Sequence, residues 1–256
     1  MGLIETEGLV LKTYSLAEAD KIVVLLTKNE GLVRGVARGA KRLKSRFGGG
    51  LEVFSIVQIA YFQKEDRELV SISNIELIKS YFEKAGNALF FENFAYLAEL
   101  LVEFAPPHDP NERLYRMARA CLDSAVNTET NLESIVVYFE LWILKLGGYL
   151  PDWSRCQNCK KELNVNEKTG LQINFHLICQ ECQKSRNNWA VSGEQRQIFI
   201  AAQKLSPAKF VEFTENCNDD LKEVSIILRR IISNILGREI TSNKKIAAKA
   251  YQNNAF

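Results

Sequence analysis

Four cysteines fall into two close pairs, Cys156-Gln157-Asn158-Cys159 and Cys179-Gln180-Glu181-Cys182, with 19 residues between the pairs. Two residues between thiols let one tight turn aim both sulfurs at the same ion, and a second such turn completes a tetrahedral all-sulfur shell. The separation of the pairs lies in the range that reads as a zinc site. One structural Zn2+ held by Cys156, Cys159, Cys179 and Cys182 is therefore expected. Lys160, Lys161, Lys184 and Arg186 follow the pairs and would offset the negative charge of such a centre. A redox dithiol would carry a single pair in a βαβ setting, and an iron–sulfur cluster, which uses the same ligands, suits two knuckles less well than zinc. A catalytic zinc keeps an open position, commonly beside His or carboxylate ligands, and four thiolates leave none. His176, three residues before Cys179, is placed at the surface of the intervening hairpin, with a substitute ligand as the alternative. The nucleobase-deaminase signature couples His-x-Glu to Pro-Cys-x-x-Cys. Here no His-x-Glu occurs and Arg155 precedes Cys156. Cys121 and Cys217 fall in helical patterns and read as core residues.

The second constellation is basic. From Gly31 to Gly50 the chain reads GLVRGVARGAKRLKSRFGGG, with Arg34, Arg38, Lys41, Arg42, Lys44 and Arg46 and no acidic residue. Cations in a glycine-framed loop suit phosphate contacts, and Phe47 offers a surface on which an unpaired base could stack. A solvated charge run is the plain alternative. A Walker phosphate loop is excluded, because Gly35–Ala40 does not continue into Gly-Lys-Ser/Thr. A smaller basic stretch surrounds Lys244, Lys245 and Lys249. The chain has two histidines, His108 and His176, neither beside a nucleophile motif, and lacks G-x-S-x-G and H-E-x-x-H. It reads as a protein that binds and does not catalyse.

The elements that must position these groups change character along the chain. Apolar, β-branched runs at Gly8–Tyr14, Lys21–Thr27, Leu32–Ala37, Val53–Phe62 and Leu69–Ile75 are separated by turn-formers, among them Lys28–Gly31 and Lys64–Arg67. Five short strands suit a small closed barrel without free edges, an OB-fold first and an SH3-like barrel second. From Asn87 the period becomes helical: Leu89, Phe90, Phe94, Leu97, Leu101 and Phe104 form one stripe, ended by Pro106-Pro107. Further helices are expected over Asn111–Val126, from the capping-box pattern Thr130–Glu133 to Gly147-Gly148, after Ser192–Gln195, after Ser206-Pro207, and over Asp220–Leu236 before Gly237. The whole is an α+β multidomain chain: a barrel over 1–80, a helical domain in two parts over 81–150 and 191–256, and the cysteine element inserted at 151–190.

Bulk composition limits the partners. The chain has 256 residues, 46% hydrophobic and 25% charged, with a net charge of +2, so an anionic partner must be met by a local patch. Residues 81–150 carry a local net charge of −5. No apolar run is long enough to span a bilayer, and Glu5 and Glu7 speak against a secretion signal. Gly2 without a basic flank is weak ground for myristoylation. A cytoplasmic protein is expected, its paired cysteines bound to metal and not to one another.

The stretch Gly35–Ser55, GVARGAKRLKSRFGGGLEVFS, resembles the most recognisable segment of the RecO family of recombination mediators, and Glu7–Leu11 and Asp20–Val23 resemble that family's first two strands. The likeness extends through the helical middle, the cysteine pairs and the closing helices. It implies an N-terminal OB-fold, a helical domain and a zinc element packed against that domain. It further implies binding of single- and double-stranded DNA and annealing of complementary strands. With RecR, such a protein loads RecA onto DNA covered by single-stranded DNA-binding protein, at the nucleoid. Carried over by position, DNA would meet Arg34, Arg38, Lys41, Arg42, Lys44 and Arg46, and zinc the four paired cysteines, which some family members lack. The contact with single-stranded DNA-binding protein has no motif that places it. A module for RNA or ribosomes is the alternative, since both kinds of element serve there as well.

Overall fold

The computed structural model describes residues 2–63, 68–81, 86–127, 131–164, 167–183 and 189–240. The expected turn at Lys64–Arg67, the Thr130 cap, the cations Lys184 and Arg186, and the basic stretch at Lys244, Lys245 and Lys249 lie outside them. The chain divides into two compact units between Val126 and Asn127, and the second extends to Glu239.

The first unit opens with β1 (Leu3–Ser15), β2 (Lys21–Thr27), β3 (Leu32–Ala37), β4 (Ser55–Phe62) and β5 (Val70–Ser80). They close into a barrel in the order β1-β2-β3-β5-β4, with β4 returning to β1. All pairings are antiparallel except β3 with β5, a short parallel seam at Gly35–Val70 and Val36–Ser71. This is the five-stranded OB arrangement, and the SH3-like alternative falls away. β1 is longer than its apolar run because it serves two neighbours. Leu3–Leu9 pair with β4, Gly8–Ser15 pair with β2, and the register shifts between Val10 and Lys12, a bulge that bends the strand around the barrel. β4 starts later than expected, because Phe54 takes a left-handed φ of 63° just before it. Period-two alternation sends Val23 and Leu25 of β2 and Val57, Ile59 and Tyr61 of β4 into one core. Two glycines let strands and loop approach it closely. A Cβ on Gly35 would stand 2.7 Å from Ile72, and one on Gly50 would stand 2.6 Å from Ile75.

Two helices complete this unit. In α1 (Ala88–Phe104), the Asn87 side chain accepts from the N–H groups of Leu89 and Phe90, supplying donors the helix end lacks. Phe90 and Phe94 meet the ring of Phe54 edge-on. Leu89, counted in the apolar stripe, is instead exposed. Past the helix, Pro106 and His108 exchange backbone hydrogen bonds with Leu32 of β3. α2 (Glu112–Asn127) reaches the barrel through polar groups: the Tyr115 hydroxyl donates to Glu7 at 2.6 Å, Arg119 pairs with Glu7, and Tyr81 and Lys79 both donate to Asp123.

The second unit holds α3 (Leu132–Leu146), α4 (Gly193–Lys204), α5 (Pro207–Thr214) and α6 (Asn218–Leu236), with a three-stranded sheet of β6 (Thr169–Leu171), β7 (Leu177–Ile178) and β8 (Trp189–Val191). Ser192 forms the expected capping box with Gln195, Ser206 caps α5 with Pro207 in its first turn, and α6 ends at Gly237 with φ 65°. Glu140, fully buried in α3, pairs with Arg229 of α6 at 2.9 Å. Cys121 is buried within α2, and burial drives its thiol well above the ordinary range. Cys217 departs from the expectation: it is partly exposed at the N-cap of α6, because that helix begins at Asn218. Among the described residues no helix is long and apolar enough to cross a membrane.

Candidate metal centre and nucleic-acid interface

The four paired cysteines converge. The sulfurs of Cys156, Cys159, Cys179 and Cys182 all lie within 4.8 Å of one another, and those of Cys159 and Cys179 are 3.8 Å apart. A tetrahedral ion with metal–sulfur bonds of about 2.3 Å has sulfur–sulfur edges of about 3.8 Å, so the donor set fits a metal. Each knuckle is made locally. Lys160 N–H donates to the Cys156 carbonyl and Cys156 N–H to that of Lys161, with Lys160 in the left-handed region at φ 62°. The second pair follows β7, where Cys182 N–H donates to the Cys179 carbonyl. The two knuckles are joined directly: Gln157 N–H donates to Leu177 and Cys179 N–H points at the Cys156 sulfur. Cys156 and Cys179 are buried while Cys159 is exposed, so one side of the site faces water.

Electrostatics agree with a site made for a cation. Burial opposes the Cys156 thiolate, yet the N–H groups of Cys159, Cys179 and Asn158 outweigh it and bring the thiol down to about 6. Cys182 is pushed up to about 12, chiefly by its hydrogen bond with Cys179. Closely spaced sulfurs cannot all ionise in turn unless a cation neutralises them. Of the four cations expected to balance the centre, Lys160 and Lys161 are described, and Lys161 lies 3.5 Å from both Glu167 and Glu181. His176 is outside the sulfur cluster, in the turn between β6 and β7, where its carbonyl accepts from Gln172 N–H.

Side chains that the sequence did not single out hold this element in place. The Trp153 ring stacks on Phe199 of α4 at 4.1 Å, and its indole N–H donates to the Phe175 carbonyl. Arg196, also on α4 and buried, donates to the carbonyls of Asn164 and Glu167. Capping of α4 at Ser192 was legible in the sequence. Which of its side chains would reach back to the insert was not.

The basic segment leaves the barrel at the end of β3. Arg34, Arg38, Lys41, Arg42, Lys44 and Arg46 are all exposed, and among the described residues none of the six forms an ion pair. The segment is not the loose loop its glycines suggest. Gly39 N–H donates to the Asp20 carboxylate at 2.8 Å, Lys41 N–H to Ala19 and the Lys41 ammonium to Ala17, which pins it to the turn between β1 and β2. Two hydrogen-bonded turns follow, Gly39–Arg42 and Arg42–Ser45. Phe47 is corrected outright. At 2% exposure its ring belongs to the barrel core, because the segment folds back to plug the barrel end before a short 3-10 turn at Gly48–Leu51. No base can stack there, although the Arg46 guanidinium lies 5.0 Å from the centre of the ring.

Comparison with known proteins agrees along the chain. Residues 1–81 match the family profile described as Recombination protein O N terminal, and residues 94–244 match Recombination protein O C terminal. A protein of Koribacter versatilis named DNA repair protein RecO is 33% identical over 62% of this chain and 65% of its own length. Proteins of the same name from Thermodesulfovibrio yellowstonii and Syntrophus aciditrophicus are 32% and 27% identical, over 70% and 94% of this chain and 70% and 93% of their own lengths. With both profiles matched along the chain and a relative 32% identical over 70% of each length, the chain belongs to the recombination protein O family of DNA repair proteins.

Proposed function

We propose that this chain is a DNA-binding recombination mediator without turnover. It holds DNA on the barrel, anneals complementary strands and, with RecR, helps load RecA onto strands covered by single-stranded DNA-binding protein. The observation that carries the reading is the run of exposed cations that starts with Arg34 on β3 and continues through the pinned segment after it, with Arg38, Lys41, Arg42, Lys44 and Arg46. A loop ordered before binding loses less freedom when it meets phosphates, and phosphate contacts position a strand without reading its sequence. One Zn2+ on Cys156, Cys159, Cys179 and Cys182 has a structural role here. Four thiolates saturate a tetrahedral ion, so it offers a substrate no open position and supplies folding energy.

The test is strand annealing with purified protein. Two complementary oligonucleotides coated with single-stranded DNA-binding protein should pair faster with the chain than without it, and no nucleotide should be consumed. A chain that leaves annealing unchanged and prefers structured RNA to single-stranded DNA would replace the mediator by an RNA-binding module.

A further inference from the structure

Leu43 is the most exposed apolar residue described. Its relative exposure is 104%, in a segment whose flanking apolar residues are drawn into the barrel. It does not project from a floppy strand. Ser45 N–H donates to the Arg42 carbonyl at 3.0 Å, which closes a turn with Leu43 and Lys44 as its two central residues. Behind that turn, Gly39 and Lys41 are tied to the β1–β2 turn, Ala40 packs against the core, and Phe47 is sunk in it. An apolar side chain is thus held at the tip of an anchored turn, with Arg42 and Lys44 on either side.

Placing an isobutyl group in water at such a tip stabilises nothing in the free protein, since burial is what makes apolar surface favourable. It becomes favourable only when a partner covers it. The flanking cations select an anionic partner, and in a chain of a DNA repair family a stack of nucleobases behind its phosphates is the partner that is anionic outside and apolar inside. Proteins that bend or open nucleic acid commonly insert an aliphatic wedge between base steps while cations hold the adjoining phosphates. We infer that Leu43 is such a wedge: Arg42 and Lys44 seat the turn on the backbone of a DNA duplex, and Leu43 enters and unstacks one base step. The inference rests on the DNA-binding reading above and goes beyond it by naming the residue that would open the stack, the role Phe47 cannot fill.

The experiment uses the full chain and a duplex carrying 2-aminopurine, whose fluorescence rises when its base unstacks, with anisotropy read on the same samples. The wild type should raise the fluorescence about twofold or more. Leu43→Ala should abolish that rise, weaken binding by about threefold to tenfold through lost burial, and leave the salt dependence of binding unchanged. Leu43→Met, which keeps an aliphatic tip, should restore the signal. Because Leu43 touches solvent alone, neither substitution threatens the fold. Equal fluorescence in wild type and Leu43→Ala at saturating, salt-dependent binding overturns the wedge and leaves the DNA-binding reading standing. A wild type that does not bind DNA overturns both.

Discussion

The DNA-binding reading turns on six side chains, and salt measures how many of them are engaged. Each phosphate neutralised on a single strand releases condensed counterions and contributes a slope of about −0.7 to log K against log salt. If Arg34 on β3 and the five cations of the pinned segment all reach phosphates, the slope is about −4. Lys41 already donates to the Ala17 carbonyl, so its contribution is the first to fall short, and the slope then approaches −3.5 or so. Replacing Arg42, Lys44 and Arg46 together by alanine removes three contacts and flattens the slope by about 2. Raising salt from 50 to 200 mM should then weaken the wild type about a hundredfold or more but the triple variant only about tenfold. The three residues are exposed, and Phe47, which anchors the segment, is left in place, so the barrel should fold as before. Fluorescence anisotropy with a labelled oligonucleotide at four or more salt concentrations gives both slopes, and the effect should not depend on base sequence. A folded triple variant with an unchanged slope would refute the assignment and place the DNA surface elsewhere on the chain.

Three further outcomes are expected. Protein purified without chelator should carry one zinc per chain, and Cys179→Ser should lose it together with thermal stability; elemental analysis that finds no zinc sinks the metal assignment. Phe47→Ala should cost about 3–5 kcal/mol by emptying the barrel end, whereas Phe47→Leu should keep both fold and DNA affinity, and a selective loss of affinity in the leucine variant would return the ring to a stacking role. Burial works against ionised Asp123, but hydrogen bonds from Lys79 and Tyr81 outweigh it and hold its carboxyl below the usual range. A depressed carboxyl contributes stability above its unfolded value that is lost as pH falls through the folded one. Asp123→Asn should therefore narrow the loss of melting temperature on acidification to pH 3, an effect kept small by the partial exposure of the pair.

What could be read from the sequence was what depends on near neighbours. Two residues between cysteines fix where two sulfurs point, and Asn87, Ser192 and Ser206 announce helix starts through bonds made within one turn. The apolar, β-branched runs of β2 and β4 mark strands without knowledge of their partners. What stayed hidden depends on distant chain. The full length of β1 is set by β4, more than forty residues away, whose edge extends the pairing back to Leu3. Phe47 and its glycines resemble a flexible, phosphate-friendly loop until Ile75 and the barrel end are in place to bury Phe47 and Gly50. Cys217 reads as core because helical patterns lie on both sides of it, whereas it stands between α5 and α6 at the N-cap position, which leaves it partly exposed. Arg196 has no local signal in the sequence, and its role appears only when the carbonyls of Asn164 and Glu167 are brought within reach.

That arginine and the Trp153–Phe199 stack bear on how the second unit opens. Two clamps from one helix, one polar and one aromatic, hold the backbone on either side of the first cysteine pair. Opening the knuckles therefore withdraws support from α4 itself, so the amides of that helix should exchange with solvent in the same cooperative event as those around the sulfurs. With the proposed zinc as the bound ion, the free energy of this shared opening would grow with the logarithm of free zinc above its dissociation constant. Metal availability in the surroundings would in this way be registered as the exchange lifetime of a helix that contributes no ligand to the ion.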